Sequence, residues 1–148
     1  MSDATGRPVF VVGVDGSEDS VQALRWAAAH ARHTGAEVHA VTGWDVPATI
    51  VVVPTYTTAD YARDAEETLQ KGVREALGPD PDIPLVTRLV QKRPARALVE
   101  EAEEADLLVI GRHGRGQLPG IHLGTVTSYC IHHAKCPVVV VCESAKHR

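Results

Sequence analysis

LLVIGRHGRGQLPGIHLGTVTSYCIHHAKCPVVVV, residues 107–141, carries in one run the signals that decide the fold. It opens on an unbroken apolar segment, Leu107 to Ile110, and closes on another, Val138 to Val141. A strand wetted on one face alternates polar and apolar residues, whereas a strand covered on both faces is apolar throughout; both segments therefore read as strands of a sheet buried on its two sides. Between them lie a glycine-rich loop and a helical stretch over about Thr125 to Ala134. Strand, helix, strand is the unit that joins two parallel strands by a crossover.

Working outward, the same alternation fills the chain. Pro8 to Val14 is a β-branched apolar segment that runs into Asp15, Gly16 and Ser17, a strand ending in a turn. Ser17 is placed to cap a helix over about 18–34, with Glu18 and Asp19 in its first turn, Val21, Leu24, Ala28 and Ala31 on one stripe, and Gly35 as its stop. Residues 37–43 read as a second strand, and the Pro-interrupted stretch 45–58 as a long loop. A helix over 59–77 follows, carrying Tyr61, Ala65, Leu69, Val73 and Leu77, then a strand over 85–90. Pro94 opens a third helix that extends to near Asp106, its apolar stripe opposite Glu100, Glu101, Glu103 and Glu104. The order βαβαβαβαβ predicts an α/β fold: a parallel sheet with helices on both faces, its ligand crevice at the carboxyl ends of the strands. That directs attention to the loops after the first and fourth strands.

The length, 148 residues, suits a single domain over 1–148 that buries a core without disulfides or structural metal, with 1–7 and 144–148 as flexible ends. Aromatic residues are only 4%, so Val, Leu, Ile and Ala must build that core. A net charge of −4 gives no broad attraction to nucleic acid or to an anionic membrane. No stretch reaches the roughly 18 apolar residues of a membrane span, and residues 1–8 do not read as a secretory leader, which predicts a cytoplasmic protein. Cys130, Cys136 and Cys142 are odd in number and crowded together, so they read as reduced, small core residues. His113, His122, His132 and His133 invite a zinc reading, but no paired C-x2-C or H-x3-H spacing accompanies them, and no metal held by the protein alone is expected.

Four glycines, Gly111, Gly114, Gly116 and Gly120, precede the helix start at Gly124 and Thr125. Glycine lets a backbone approach a ligand closely, and the N–H groups at a helix start attract an anion. The stretch TVTSYCIHH has no acid in its first two turns and offers hydroxyls at Thr125, Thr127 and Ser128, with Arg112 and Arg115 supplying positive charge nearby. The first helix opens instead on Glu18 and Asp19, which would repel a phosphate. Phosphates, where bound, belong on the later helix. From the residues alone, a phosphate site and a structural loop both stay open.

The spacing Gly111, two residues, Gly114, nine residues, Gly124, Thr125 resembles the G-x2-G-x9-G-[ST] pattern of the universal stress proteins that bind ATP. VGVDGSEDS at 12–20 and AKCPVVVV at 134–141 are similar to the start and end of that family's domain. The resemblance implies a five-stranded parallel sheet of order 3-2-1-4-5, the Rossmann-like arrangement of the adenine nucleotide alpha hydrolases. It implies ATP as ligand, with Mg²⁺ arriving alongside it, and Gly111, Gly114, Arg115, Gly116, Gly124, Thr125, Val126 and Thr127 around phosphates and ribose. Gly13, Asp15 and Val41 would face the adenine, and Ile110 and His113 complete the set; His113 stands where members often carry Ser or Arg. It also implies a homodimer through the last strand, Pro137 to Cys142, whose valines at a sheet edge would need a cover.

The implied role is a nucleotide-binding regulatory module in the stress response. A slow ATPase or adenylate-handling hydrolase would use the same crevice, with Asp15 as base; Asp15 otherwise serves as a turn residue. No lysine follows the glycines as in a Walker A loop, and no second acid is placed to orient a water, so the sequence supports holding ATP better than hydrolysing it. A structural dimer without nucleotide is the third reading, and the intact glycine pattern counts against it. Trp26 reads as packing and Trp44 as a residue that could stack on a base; Glu100 to Glu104 read as a solvated face.

Overall fold

The computed structural model describes residues 6–47, 56–114 and 123–142. Most of the stretch read as a long loop, residues 48–55, lies outside them, as do Arg115, Gly116, His122 and the ends 1–5 and 143–148. Among the described residues nine elements alternate: β1 (Val9–Gly13), α1 (Glu18–Thr34), β2 (Glu37–Trp44), α2 (Thr58–Leu77), β3 (Leu85–Gln91), α3 (Pro94–Glu101), β4 (Leu107–Gly111), α4 (Thr125–His133) and β5 (Val138–Val141). The strands form one sheet of order β3-β2-β1-β4-β5, every pairing parallel.

Side-chain alternation in the central strands divides the core in two. Phe10, Val12 and Val109 point to the face covered by α1 and α2, where they meet Leu24, Ala27, Ala28 and Leu69. Val11, Leu108 and Ile110 point to the other face, covered by α3 and α4, against Leu98, Ala102 and Cys130. This is why LLVI carries no polar residue: each position is inward on one face or the other. Ala23, Ala27 and Ala28 are fully buried beside Leu24, so most of the inward face of α1 is methyl-sized and the helix lies close on the sheet.

The helix ends follow local chemistry. The Ser17 side chain accepts from the Ser20 N–H, and Gly35, at φ 75°, closes α1 by donating its N–H to the Ala31 carbonyl. α2 starts one residue earlier than its stripe suggests because Thr57 and Asp60 form a reciprocal capping box. Those bonds from Thr57 hold the Asp60 carboxyl below its ordinary range. α3 ends at Glu101, well short of Asp106. The pairing of β4 with β1 starts there, as Asp106 donates its N–H to the Val9 carbonyl and accepts the Val9 N–H on Oδ2, so the chain leaves the helix early and keeps Ala102 and Ala105 buried in a turn.

The acidic face of α3 is paired: Glu100 meets Lys92 and Arg96, and Glu101 meets Arg88 at 2.7 Å. Lys92 and Arg96 hold the Glu100 carboxyl below its usual range. Of the cysteines only Cys130 is a full core residue, and burial pushes its thiol up to about 11; Cys136 is half-buried and Cys142 exposed, which corrects the expectation of three core thiols. Among the described residues no helix is long and apolar enough to cross a membrane.

Candidate nucleotide crevice

In the sheet order, β1 is followed through α1 by β2 on one side and β4 through α4 by β5 on the other, so the connections after β1 and β4 run in opposite directions and a crevice opens at the carboxyl ends between these two strands. A cavity of about 420 Å³ occupies this place, within the range of small-molecule sites, about 300 to 1,000 Å³. Gly13, Val41, Leu98, Ile110 and Val126 give it an apolar wall. Of the residues singled out from sequence, Asp15, Gly111, His113, Gly114, Thr125 and Thr127 also line it, brought together from β1, β4 and α4. Arg115 and Gly116 lie outside the described residues. Gly124, Arg112, Ser128 and Trp44 are not among the lining residues. Trp44 is instead the last residue of β2, paired with Gln91.

The two helix starts at the crevice differ in charge. α1 is capped by Ser17, opens on Glu18 and Asp19, and has beside it Asp15, whose Oδ1 accepts both the Ser17 N–H (2.9 Å) and the Ser17 hydroxyl (2.5 Å). α4 follows Gly124 with no side-chain cap and no acid in its first turn. Its first N–H groups have no acceptor within the helix, and the macrodipole adds about half a positive charge at this end. An anion entering the crevice is therefore repelled from the α1 side and drawn to the α4 side. Ser17→Ala is expected to lower stability by about 1 kcal/mol through the lost cap, read as a lower urea midpoint with unchanged slope.

The glycines serve close packing here. Among the described residues, positive φ occurs at Gly6, Gly16, Gly35 and Gly78, and at none of the crevice glycines. A Cβ on Gly111 would stand 2.7 to 2.9 Å from the Cβ, carbonyl carbon and carbonyl oxygen of Asp19. A Cβ on Gly124 would stand 3.2 Å from the Gly114 nitrogen, and the Gly124 N–H donates to the Arg112 carbonyl at 2.9 Å. The two ends of the glycine-rich loop thus rest on each other. At the described crevice glycines, absent side chains, and not a left-handed backbone, bring β4, α1 and α4 into contact.

Two hydroxyls read as phosphate donors do other things. Thr127 is buried, and its Oγ1 donates to the Gly111 carbonyl at 2.7 Å, fastening α4 to the end of β4. Ser128 does not reach the crevice. Thr125 is exposed at the crevice rim and is the described α4 hydroxyl placed to meet a ligand. Sequence reasoning missed Ser17, Thr42, Gly43 and Pro94, and above all Ala65 and Thr68, through which α2 forms part of the wall. The helical spacing marks Ala65 only as a packing residue and no local pattern marks Thr68, because their place in the wall depends on how α2 crosses the sheet. The Thr42 hydroxyl is taken up by the Val14 carbonyl at 2.7 Å.

Among the described lining residues the one carboxylate is Asp15, and no group of three or more His, Cys, Asp or Glu is arranged to hold a metal ion. The arrangement suits a flat apolar group against Val41, Ile110 and Leu98 with an anion at α4.

The sequence profile of the universal stress protein family matches residues 8–141. A universal stress protein of Mycobacterium tuberculosis is 37% identical over 145 residues, covering 97% of this chain and 48% of the relative, so the chain spans about half that relative's length. Among solved structures, a universal stress protein from Archaeoglobus fulgidus in complex with dAMP is similar with a TM-score of 0.65 and 26% identity, covering 91% of this chain and 97% of that one. A universal stress protein in complex with cAMP has a TM-score of 0.59 and 28% identity, over 93% and 98% of the two chains.

Proposed function

Because the chain belongs to the universal stress protein family, we propose that its crevice holds an adenine nucleotide, ATP, and that the protein acts as a nucleotide-binding regulatory module of the stress response in the cytoplasm. One observation carries the reading: an apolar crevice at the switch point of a parallel sheet ends on a helix start that has no cap and no acid. The base would lie against Val41, Gly13 and Ile110. The phosphates would meet the N–H groups and hydroxyl of Thr125 and the backbone of Gly114, with Arg115 and Gly116 in the adjoining loop. The neighbours solved with dAMP and cAMP support the choice of an adenine nucleotide. Mg²⁺ would arrive with the nucleotide, since one lining carboxylate is a poor cage by itself.

Holding the nucleotide, in preference to hydrolysing it, is supported by Asp15, whose Oδ1 already accepts two hydrogen bonds from Ser17. A homodimer through Pro137 to Cys142 is part of the same proposal. Among the described residues β5 pairs with β4 alone, and each of its four valines is half-buried at this edge, a place where a second strand would cover it. Isothermal titration with ATP, AMP and cAMP, together with mass spectrometry of ligand released by denaturation, tests the reading. Saturable ATP binding at one site per chain is expected. Absence of binding by all three nucleotides at millimolar concentration would overturn it.

A further inference from the structure

Asp19 makes a contact that its place in α1 does not require. An acid at the second position of a helix ordinarily serves the helix's own positive end, but Ser17 already caps α1 through the Ser20 N–H. The Asp19 carboxylate turns instead to the far end of the chain, where Oδ2 accepts the His113 N–H at 3.1 Å across 94 positions of sequence. The Nδ1 of His113 lies 3.7 Å from the same oxygen. Only 14% of the Asp19 side chain is exposed, so water competes weakly for the bond. The reach is possible because Gly111 lacks a Cβ and lets β4 end directly on the backbone of Asp19.

We propose that Asp19 is a positioning residue for the glycine-rich loop, its carboxylate holding the His113 amide so that Gly111 to Gly114 lie fixed between α1 and the start of α4. This rests on the nucleotide reading above and deepens it. With its N–H engaged by Asp19, His113 does not offer that donor to a phosphate. The anion is left to Gly114 and α4, and the loop is set before any ligand arrives. A loop that must be ordered on binding weakens affinity, so the tether raises it without touching the nucleotide. The benefit falls on the part of the ligand that meets the loop, which is the phosphate chain and not the base.

The test uses Asp19→Ala, Asp19→Ser and Asp19→Asn in the full chain, each titrated with ATP and with adenosine, alongside amide exchange of the unliganded proteins. In D19A, ATP affinity is expected to fall about tenfold, adenosine affinity to change less than about twofold, and the His113 amide to exchange faster. D19N keeps an oxygen acceptor at the same reach and should restore most of the ATP affinity. D19S, too short to reach His113, should behave like D19A and carries the test where D19A does not fold. Faster exchange at His113 with unchanged ATP affinity overturns the proposal, as does an equal loss for adenosine. D19N binding ATP more tightly than the wild type also overturns it, since the carboxylate would then act by repulsion. Wild-type protein that binds neither ATP nor adenosine brings down the nucleotide reading and this proposal together, whereas the other outcomes leave that reading standing.

Discussion

Thr125→Glu is expected to reduce ATP affinity about a hundredfold while leaving the protein at least as stable as before. The substitution puts a carboxylate in the first turn of α4, at an exposed position on the crevice rim, where the helix now has neither acid nor cap. For folding this is favourable, as an acid at a helix start contributes about 0.3 to 1 kcal/mol. For a phosphate chain seated on the same N–H groups it is strongly unfavourable. A like charge about 4 Å away costs up to about 4 kcal/mol near a protein surface, and a net loss of about 2.7 kcal/mol corresponds to a hundredfold. Thr125→Gln separates charge from size, and its affinity should stay within about threefold of wild type. Adenosine, which carries no phosphate, should bind both variants equally. Titration calorimetry and thermal unfolding of the same samples read the two opposite signs. Unchanged ATP binding in Thr125→Glu would place the phosphates away from α4.

The opposite signs follow from one feature that the sequence does display. The absence of acid from TVTSYCIHH and its presence at Glu18 and Asp19 are both plain in the chain, and folding brings the two helix starts to opposite sides of one crevice. Fold legibility has the same origin. Ser17 and Gly35 bound α1 at the expected residues because a hydroxyl cap and a left-handed glycine act within a few residues of chain. LLVI and VVVV declared a sheet covered on both faces because burial on two sides removes every polar position. The sequence predicts an α3 that extends to near Asp106 because Ala102 and Ala105 keep the helical stripe apolar beyond Glu101. Their burial is real, but it is achieved in a turn, and the bonds between Asp106 and Val9 that dictate the turn come from a strand nearly a hundred residues earlier.

At the crevice, Gly13, Val41 and Ile110, which the family resemblance implies, owe their place to the backbone: Gly13 ends β1, Val41 pairs with it on β2, Ile110 is next to last in β4, and the parallel topology brings the three to one side. Residues whose role depends on which side-chain atom meets which partner are not legible in the sequence. The Thr127 hydroxyl looks like a ligand donor in sequence and is engaged by the Gly111 carbonyl in the fold. Asp19 looks like a helix-dipole residue and is also a bridge to His113. Such pairings join positions far apart in the chain, and one sequence holds no record of them.

Gly111 shows how far the two readings of a single residue diverge, and Gly111→Ala tests between them. Were Gly111 needed only for an accommodating backbone, alanine would be tolerated, since its φ is not positive and the change removes unfolded-state entropy worth about 0.4 to 1 kcal/mol in favour of folding. The packing argues the reverse. The new methyl would meet Asp19 at 2.7 Å from its Cβ and 2.8 Å from its carbonyl carbon, and a helix backbone cannot rotate out of the way as a side chain can. Overpacking against such a neighbour costs about 1 to 3 kcal/mol, and the rigidity of α1 puts this site toward the upper end. A net destabilisation of about 2 kcal/mol is therefore expected in urea unfolding, together with loss of the Asp19 to His113 bond and weaker ATP binding. Gly35→Ala makes the comparison, because nothing lies within 4 Å of its Cβ and the cost there comes from φ 75° alone. Its penalty of about 1 kcal/mol should leave ATP affinity unchanged. A Gly111→Ala protein as stable as wild type would mean that α1 can yield at its start, and the crevice would then be a softer structure than its contacts imply.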